Sequence, residues 1–308
     1  MSRTNSAIDL SQLPMPDVVE NLDFEAILEQ VKNQLLSLVK PDMRDAVAET
    51  LALESEPLAI LAQSAAYREM TLRQRVNDAS RAVMLAYATE SDLDQIAANY
   101  RIERQVITPE DTTTLPVTPA VMEDDVSLRR RVQMSFEGFT TAGSSGSYVF
   151  HALSADARVL DADVYGPEDT PGVVEVAVLS RNGIGTADSN LLQSVMNRLS
   201  ARDIRPLTDQ VIVKSAAIIS YEIEAVITFY DGPDQDVVMQ SARDLLDRYI
   251  EQQHRMGRDV SRSGILSALH RDGVHNVNLI QPAVNVIVDW DEAAYCTGVT
   301  LINGGLGE

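Results

Sequence analysis

Between Leu58 and Ala88 the sequence contains neither glycine nor proline. Leu58, Leu61, Ala65, Leu72, Val76, Ala79 and Val83 recur there at steps that fit one side of an α-helix. With Pro57 suited to a first helical position, the spacing predicts a single helix of about eight turns ending near Ala88. Such a rod is too long for a compact α/β layer, so it demands a helical region of its own. Either other helices of the same region cover its apolar stripe, or a partner chain does.

The surrounding segments agree. Phe24, Ile27, Leu28, Val31, Leu35 and Leu38 mark an earlier helix, with Asp23 placed as its N-cap and Pro41 beyond its end. Ser91-Asp92-Leu93-Asp94 reads as a capping box that opens a short helix through Tyr100. Residues 108–125 hold three prolines and no period, which marks a linker. A short helix carrying Arg129, Arg130 and Arg131 follows, then the Gly/Ser/Thr-rich stretch from Glu137 to Ala152.

After that stretch the period changes to two. Residues 157–165 and 172–180 alternate as strands, with Gly166-Pro167 and Pro171-Gly172 turning between them. Residues 187–201 read as a helix with Leu191, Val195, Met196 and Leu199 inward, and 209–216 as a strand. Residues 217–230 form a long strand or a pair, and 235–253 a helix with Val238, Ala242, Leu245 and Tyr249 on one face. A shorter helix stops at Gly273, and 274–282 and 283–290 read as closing strands. The fold class is therefore α+β and multidomain: an N-terminal helical region followed by two small tandem α/β sandwich domains. The expected partition is 1–107 helical region, 108–126 linker, 127–215 first α/β domain and 216–308 second.

Chemistry is sparse. Net charge is −21, and the only basic cluster, Arg129-Arg130-Arg131, lies beside Glu123, Asp124 and Asp125 and reads as a solvated or salt-bridged face. Nucleic acid and anionic membranes are disfavoured partners. One cysteine, Cys296, allows no internal disulfide or Cys-based zinc site, and the four histidines lack ligand spacing. Neither a secretory leader nor a membrane span is evident, so a soluble protein made in a cytoplasm is expected. Lys32, Lys40 and Lys214 each follow valine, so no phosphate-loop lysine motif exists. Gly143-Ser144-Ser145-Gly146-Ser147 lacks the spacing of a nucleophile elbow. Gly183-x-Gly185 falls between a strand and a helix, but Asp188 stands where a dinucleotide fingerprint has its third glycine; it is better read as an N-cap. Asp163, Glu168 and Asp169 read as a solvated loop, and Trp290 between Asp289 and Asp291 as a strand end. No cofactor, metal or catalytic group is expected. A nucleotide-binding enzyme centred on Gly183 and Gly185, or a peptide-binding adaptor using an edge strand, are the alternatives to a structural role.

Two stretches resemble the baseplate J-like proteins of contractile-tailed phages. The first, Ala66 to Arg104, matches at Arg73, Arg75, Asn77, Leu85-Ala86-Tyr87-Ala88, Leu93 and Asp94. The second, Leu128 to Asp156, matches at Arg129, Arg131, Gly138, Phe139, Thr141, Ala142, Gly143 and Tyr148. Glu90 departs from the glycine common after the Ala-Thr of the family. The resemblance implies a non-enzymatic structural subunit of the baseplate wedge, needed for tail and baseplate assembly. It implies partners among other wedge proteins, sheath-initiator and hub-proximal proteins, and copies of the same chain. It places the protein in the virion tail, after assembly in the host cytoplasm. From the residues alone, the second stretch reads as a corner between two helices. Gly138 and Gly143 supply backbone freedom there, and Ser144 or Ser145 caps the helix that carries Tyr148 and His151.

Overall fold

The computed structural model describes residues 8, 10, 13–140, 143–232 and 234–307. They divide into two compact units, one from Ile8 to Glu103 and one from Arg104 onward.

The first unit is helical. Helix α1 (Phe24–Leu38) is capped by Asp23, whose carboxylate accepts from the backbone N–H of Glu25 and Ala26. Helices α2 (Arg44–Ala52) and α3 (Pro57–Ala82) follow, then α4 (Glu90–Asn99). The core joins Ile27 and Leu28 of α1, Leu51 of α2 and Ala62 and Ala66 of α3. Small residues on α3 let α1 approach closely, so its inward face is Ala59, Ala62 and Ala66 and not the leucine-rich stripe. Leu61, Leu72, Val76 and Val83 all face solvent. Helix α3 also stops at Ala82, six residues short of expectation, and a turn-rich passage leads to Ala88. Helix α4 starts at Glu90 with Thr89 as N-cap, so the expected capping box at Ser91 does not form. Glu90 itself sits at φ +48°, which is where the family's glycine would be at ease.

The second unit opens with a small antiparallel ribbon, β1 (Val106–Thr108) on β2 (Val121–Met122), which starts in the last residues of the expected helical region and runs into the stretch expected to be a linker. Helices α5 (Asp125–Gln133) and α6 (Ser145–Leu153) come next, separated by a short 3-10 turn at Ser135–Phe139. Strands β3 (Val159–Tyr165), β4 (Val173–Ser180) and β5 (Gln210–Ser215) form one sheet with β4 central, antiparallel to β3 and parallel to β5. Helix α7 (Ser189–Leu199) makes the β4–β5 crossover. Leu191, Val195 and Leu199 join Tyr148, Val149 and Ala152 of α6 and Val176 and Val178 of β4 in one core. Asp163 belongs to β3 and not to a loop.

The second sheet repeats the pattern with different wiring. Strand β6 (Ala217–Phe229) is central, antiparallel to β7 (Val274–Gln281) and parallel to β8 (Glu292–Leu306). Helices α8 (Gln235–Gln253) and α9 (Arg262–Leu269) cover it, with Val238, Ala242 and Leu246 buried on α8. Leu246, not Leu245, is the fully buried member of that face. In this sheet the helical crossover leads to the antiparallel neighbour; in the first it leads to the parallel one. Residues 283–290, expected as a strand, contribute one isolated bridge, Val286 to Val260, and the closing strand is β8. Ala177, Leu179, Ala216, Met256 and Ala293 form a separate cluster that ties the two sheets together.

Candidate interaction site

In the helical unit, Asn77 is 2% exposed and grips the backbone of Glu20. Its Oδ1 accepts from Glu20 N at 3.0 Å and its Nδ2 donates to Glu20 O at 2.9 Å. One amide thereby satisfies both polar groups of a residue outside any helix, which fixes the segment entering α1. Arg73 adds an ion pair to Glu20 at 3.3 Å and a second, at i,i−4, to Glu69. Leu93 is fully buried and Asp94 partly so. Arg75 is exposed. It lies on the same outward side of α3 as Leu72 (68% exposed) and Val76 (59%). Arg73, Asn77 and Leu93 therefore hold the fold of this unit, and Arg75 lies on its exposed surface.

In the α/β unit the arginine triplet is divided among different carboxylates. Arg131 and Glu123, both buried, form a two-point pair: Nε to Oε1 at 2.9 Å and Nη2 to Oε2 at 2.5 Å. Glu123 Oε2 also accepts from Gln105 N at 3.2 Å, so this carboxylate ties the base of the β1–β2 ribbon to α5. Arg130 pairs with buried Asp161 at 2.8 Å, and Arg129 reaches back to Asp125 O at 3.5 Å. Arg130 and Arg131 are salt-bridged as expected, but the Arg131–Glu123 pair is buried and Asp161 lies far along the chain from the acids expected to serve the triplet.

The corner itself is built by steric fit. Gly143 has φ +72°, and a Cβ there would meet Pro206 Cγ at 2.8 Å and Asp209 Oδ2 at 2.9 Å. Gly138 does not supply backbone freedom, contrary to expectation: its φ is ordinary, and the Phe150 ring fills the space a side chain would need. Ser144 caps α6, its Oγ accepting from Ser147 N at 3.2 Å. Tyr148, 2% exposed, donates from its hydroxyl to Asp209 Oδ2 at 2.8 Å. Burial first, then the Asp209 carboxylate, hold its phenol well above the usual tyrosine range. Gly143 and Tyr148 thus clamp the turn that precedes β5. Phe139 is exposed, its ring 6.4 Å from that of the equally exposed Phe136. Thr141 and Ala142 lie outside the described residues. Sequence reading missed Glu20, Phe150, Pro206 and Asp209, the counterparts that give these motif residues their work.

The alternative sites take ordinary structural roles. Gly183 and Gly185 adopt φ +61° and +107° in the turn after β4. Asp188 caps α7, accepting from Leu191 N at 2.7 Å, so a carboxylate already occupies that helix end. Trp290 stacks on Tyr165 with ring centroids 5.2 Å apart, and Lys214 Nζ lies 4.5 Å over the indole while pairing with Glu175 and Asp291. Among the described residues no cluster of His, Cys, Asp and Glu could hold a metal ion, and no helix is long and apolar enough to cross a membrane.

Residues 54–111 match the baseplate J-like N-terminal domain, 140–215 the baseplate J-like central domain, and 221–302 the baseplate J-like protein C-terminal domain. Baseplate protein J of Escherichia phage P2 is 49% identical over 301 residues, covering 98% of this chain and 99% of the relative. The cryo-EM structure of the anti-feeding prophage (AFP) baseplate, 6-fold symmetrised, aligns at TM-score 0.41 and 14% identity over 58% of this chain and 43% of that one. On the three matched domains and the near-complete phage relative, the chain belongs to the baseplate J-like family of phage baseplate structural proteins.

Proposed function

We propose that the chain acts as a non-catalytic subunit of the baseplate wedge in a contractile tail. Its partners are other wedge proteins, sheath-initiator or hub-proximal proteins, and copies of itself. The carrying observation is the outward face of α3. Leu61, Ala65, Arg68, Leu72, Val76 and Ala79 follow one another at helical steps, all exposed, while the opposite face packs on α1. A stripe of that kind suits a partner helix laid alongside it.

The helical region, the 108–126 arm and the two sandwiches serve as separate modules in this reading. The helices dock a wedge partner, and the second sandwich contributes to ring-closing contacts. Arg75 and Phe139 are the motif residues assigned to partner contact; Arg73, Asn77, Leu93, Arg131, Gly138, Gly143 and Tyr148 maintain the surfaces. Assembly takes place in the host cytoplasm, and the acidic, lysine-poor surface limits unplanned contact with nucleic acid and membranes until specific docking occurs.

The test is co-expression with the products of the neighbouring tail genes. A stable hetero-oligomer containing two copies of this chain is expected. A strictly monomeric chain that ignores those products would sink the proposal.

A further inference from the structure

Helix α5, the end of α6, the start of β3, the turn after β4 and the loop after α8 meet around a cavity of about 60 Å³. Arg130, Arg131, Arg181 and Arg255 all line it, in a chain whose net charge is −21. Three of these guanidinium groups have carboxylate partners: Arg131 with Glu123, Arg130 with Asp161 and Arg181 with Asp124. Arg255 does not pair with a carboxylate among the described residues; its Nη1 donates to His254 O at 3.0 Å. The loop that carries it is pinned, because the neighbouring Met256 N donates to Asp161 Oδ2 at 3.0 Å. Burial lowers the Arg255 pKa; the Asp161 carboxylate opposes the shift, Arg130 and Arg181 add to it, and Asp124 opposes it again. Four arginines around the cavity thus face the three carboxylates of those ion pairs, and Arg255 makes no ion pair of its own.

We propose that this cavity binds a small free oxyanion of the phosphate, sulfate or carboxylate class, held by Arg255 with Arg130 and Arg181. Guanidinium groups present paired N–H donors that match such anions, and neighbouring low-dielectric walls strengthen the attraction. A water molecule's share of liquid volume is about 30 Å³, so the cavity has room for a group of a few heavy atoms and excludes a nucleotide. The bound anion would supply the missing negative charge at the point where α5 and both sandwiches meet. It would join them as an internal ionic tie.

Thermal unfolding of the full chain, followed by fluorescence of the sole tryptophan, Trp290, tests this. Phosphate, sulfate and acetate are compared with chloride at constant ionic strength. The wild-type midpoint rises by several degrees and saturates with oxyanion concentration, and Arg255→Gln removes the rise. In chloride alone Arg255→Gln melts near the wild-type temperature, because Arg255 makes no ion pair of its own and the change removes a buried cation that burial disfavours. A wild-type midpoint indifferent to the anion, or an equal rise in the variant, overturns the proposal. Calorimetric titration of phosphate into the wild type gives an answer independent of whether the variant folds. Saturable binding of one anion per chain is expected, and no saturable heat refutes the site.

Discussion

Gly143→Val strikes the corner where α6 meets the turn before β5. Two penalties combine there. A β-branched side chain at φ +72° occupies the left-handed region, at about 1–2 kcal/mol or more. Its Cβ would also press on Pro206 Cγ at 2.8 Å and Asp209 Oδ2 at 2.9 Å, and overpacking of this kind costs about 1–3 kcal/mol. Asp209 is the acceptor of the buried Tyr148 hydroxyl, so its displacement weakens that hydrogen bond as well. The sum, about 2–5 kcal/mol, lowers the melting temperature of a unit this size by on the order of 5–15 °C. Gly183→Val is the control: φ there is +61°, but nothing lies within 4 Å of the added Cβ. It should show the backbone penalty alone, about 1–2 kcal/mol. Trp290 reports both, since it stacks on Tyr165 of the first sheet and precedes the closing strand of the second. Equal losses for the two variants, or none for Gly143→Val, would show that the steric clamp on Pro206 and Asp209 does not hold the corner.

Arg131→Met leaves Glu123 buried without its ion-pair partner and should cost about 3–5 kcal/mol in urea unfolding; adding Glu123→Leu should restore much of it. Asn77→Ala frees both backbone groups of Glu20 at a cost of about 1–3 kcal/mol, measurable as faster proteolysis of the segment before α1. His151 is buried, and burial first, then Arg198, lower its pKa against the opposing pull of Asp203. The unfolded chain therefore takes up this proton first as pH falls. The His151 contribution to stability is complete above about pH 6.5 and declines below it, by at most about 1.4 kcal/mol per pH unit. His151→Phe should flatten that part of the stability–pH curve; an unchanged slope would show that the imidazole titrates as freely folded as unfolded.

Local signals were the most legible part of the fold. Asp23, Ser144 and Asp188 cap the helices that their spacing announces, and the Gln235–Gln253 helix shows the expected bounds because its apolar period is unbroken. The side on which α3 buries itself was not legible. Alanines on one face compete with leucines on the other, and close packing against α1 selects the smaller set. Strand β8 was missed for a similar reason. Its Ala, Cys, Gly and Asn residues show little alternation, and long parallel pairing to β6 holds it in place. At the corner, the motif residues were visible, but their counterparts were not. Asp209 and Phe150 carry no local sign that they meet Tyr148 and Gly138, because those contacts exist only once the chain has folded.

The proposed assembly role rests on the outward face of α3. Leu72→Glu with Val76→Glu places two charges on exposed positions outside the core that joins α1, α2 and α3. Size-exclusion chromatography with light scattering, on the chain co-expressed with neighbouring tail proteins, measures the outcome. The wild type is expected to elute in a hetero-oligomer while the double variant, with unchanged helicity and melting temperature, elutes alone. A double variant that still assembles with its partners at wild-type stoichiometry would contradict it.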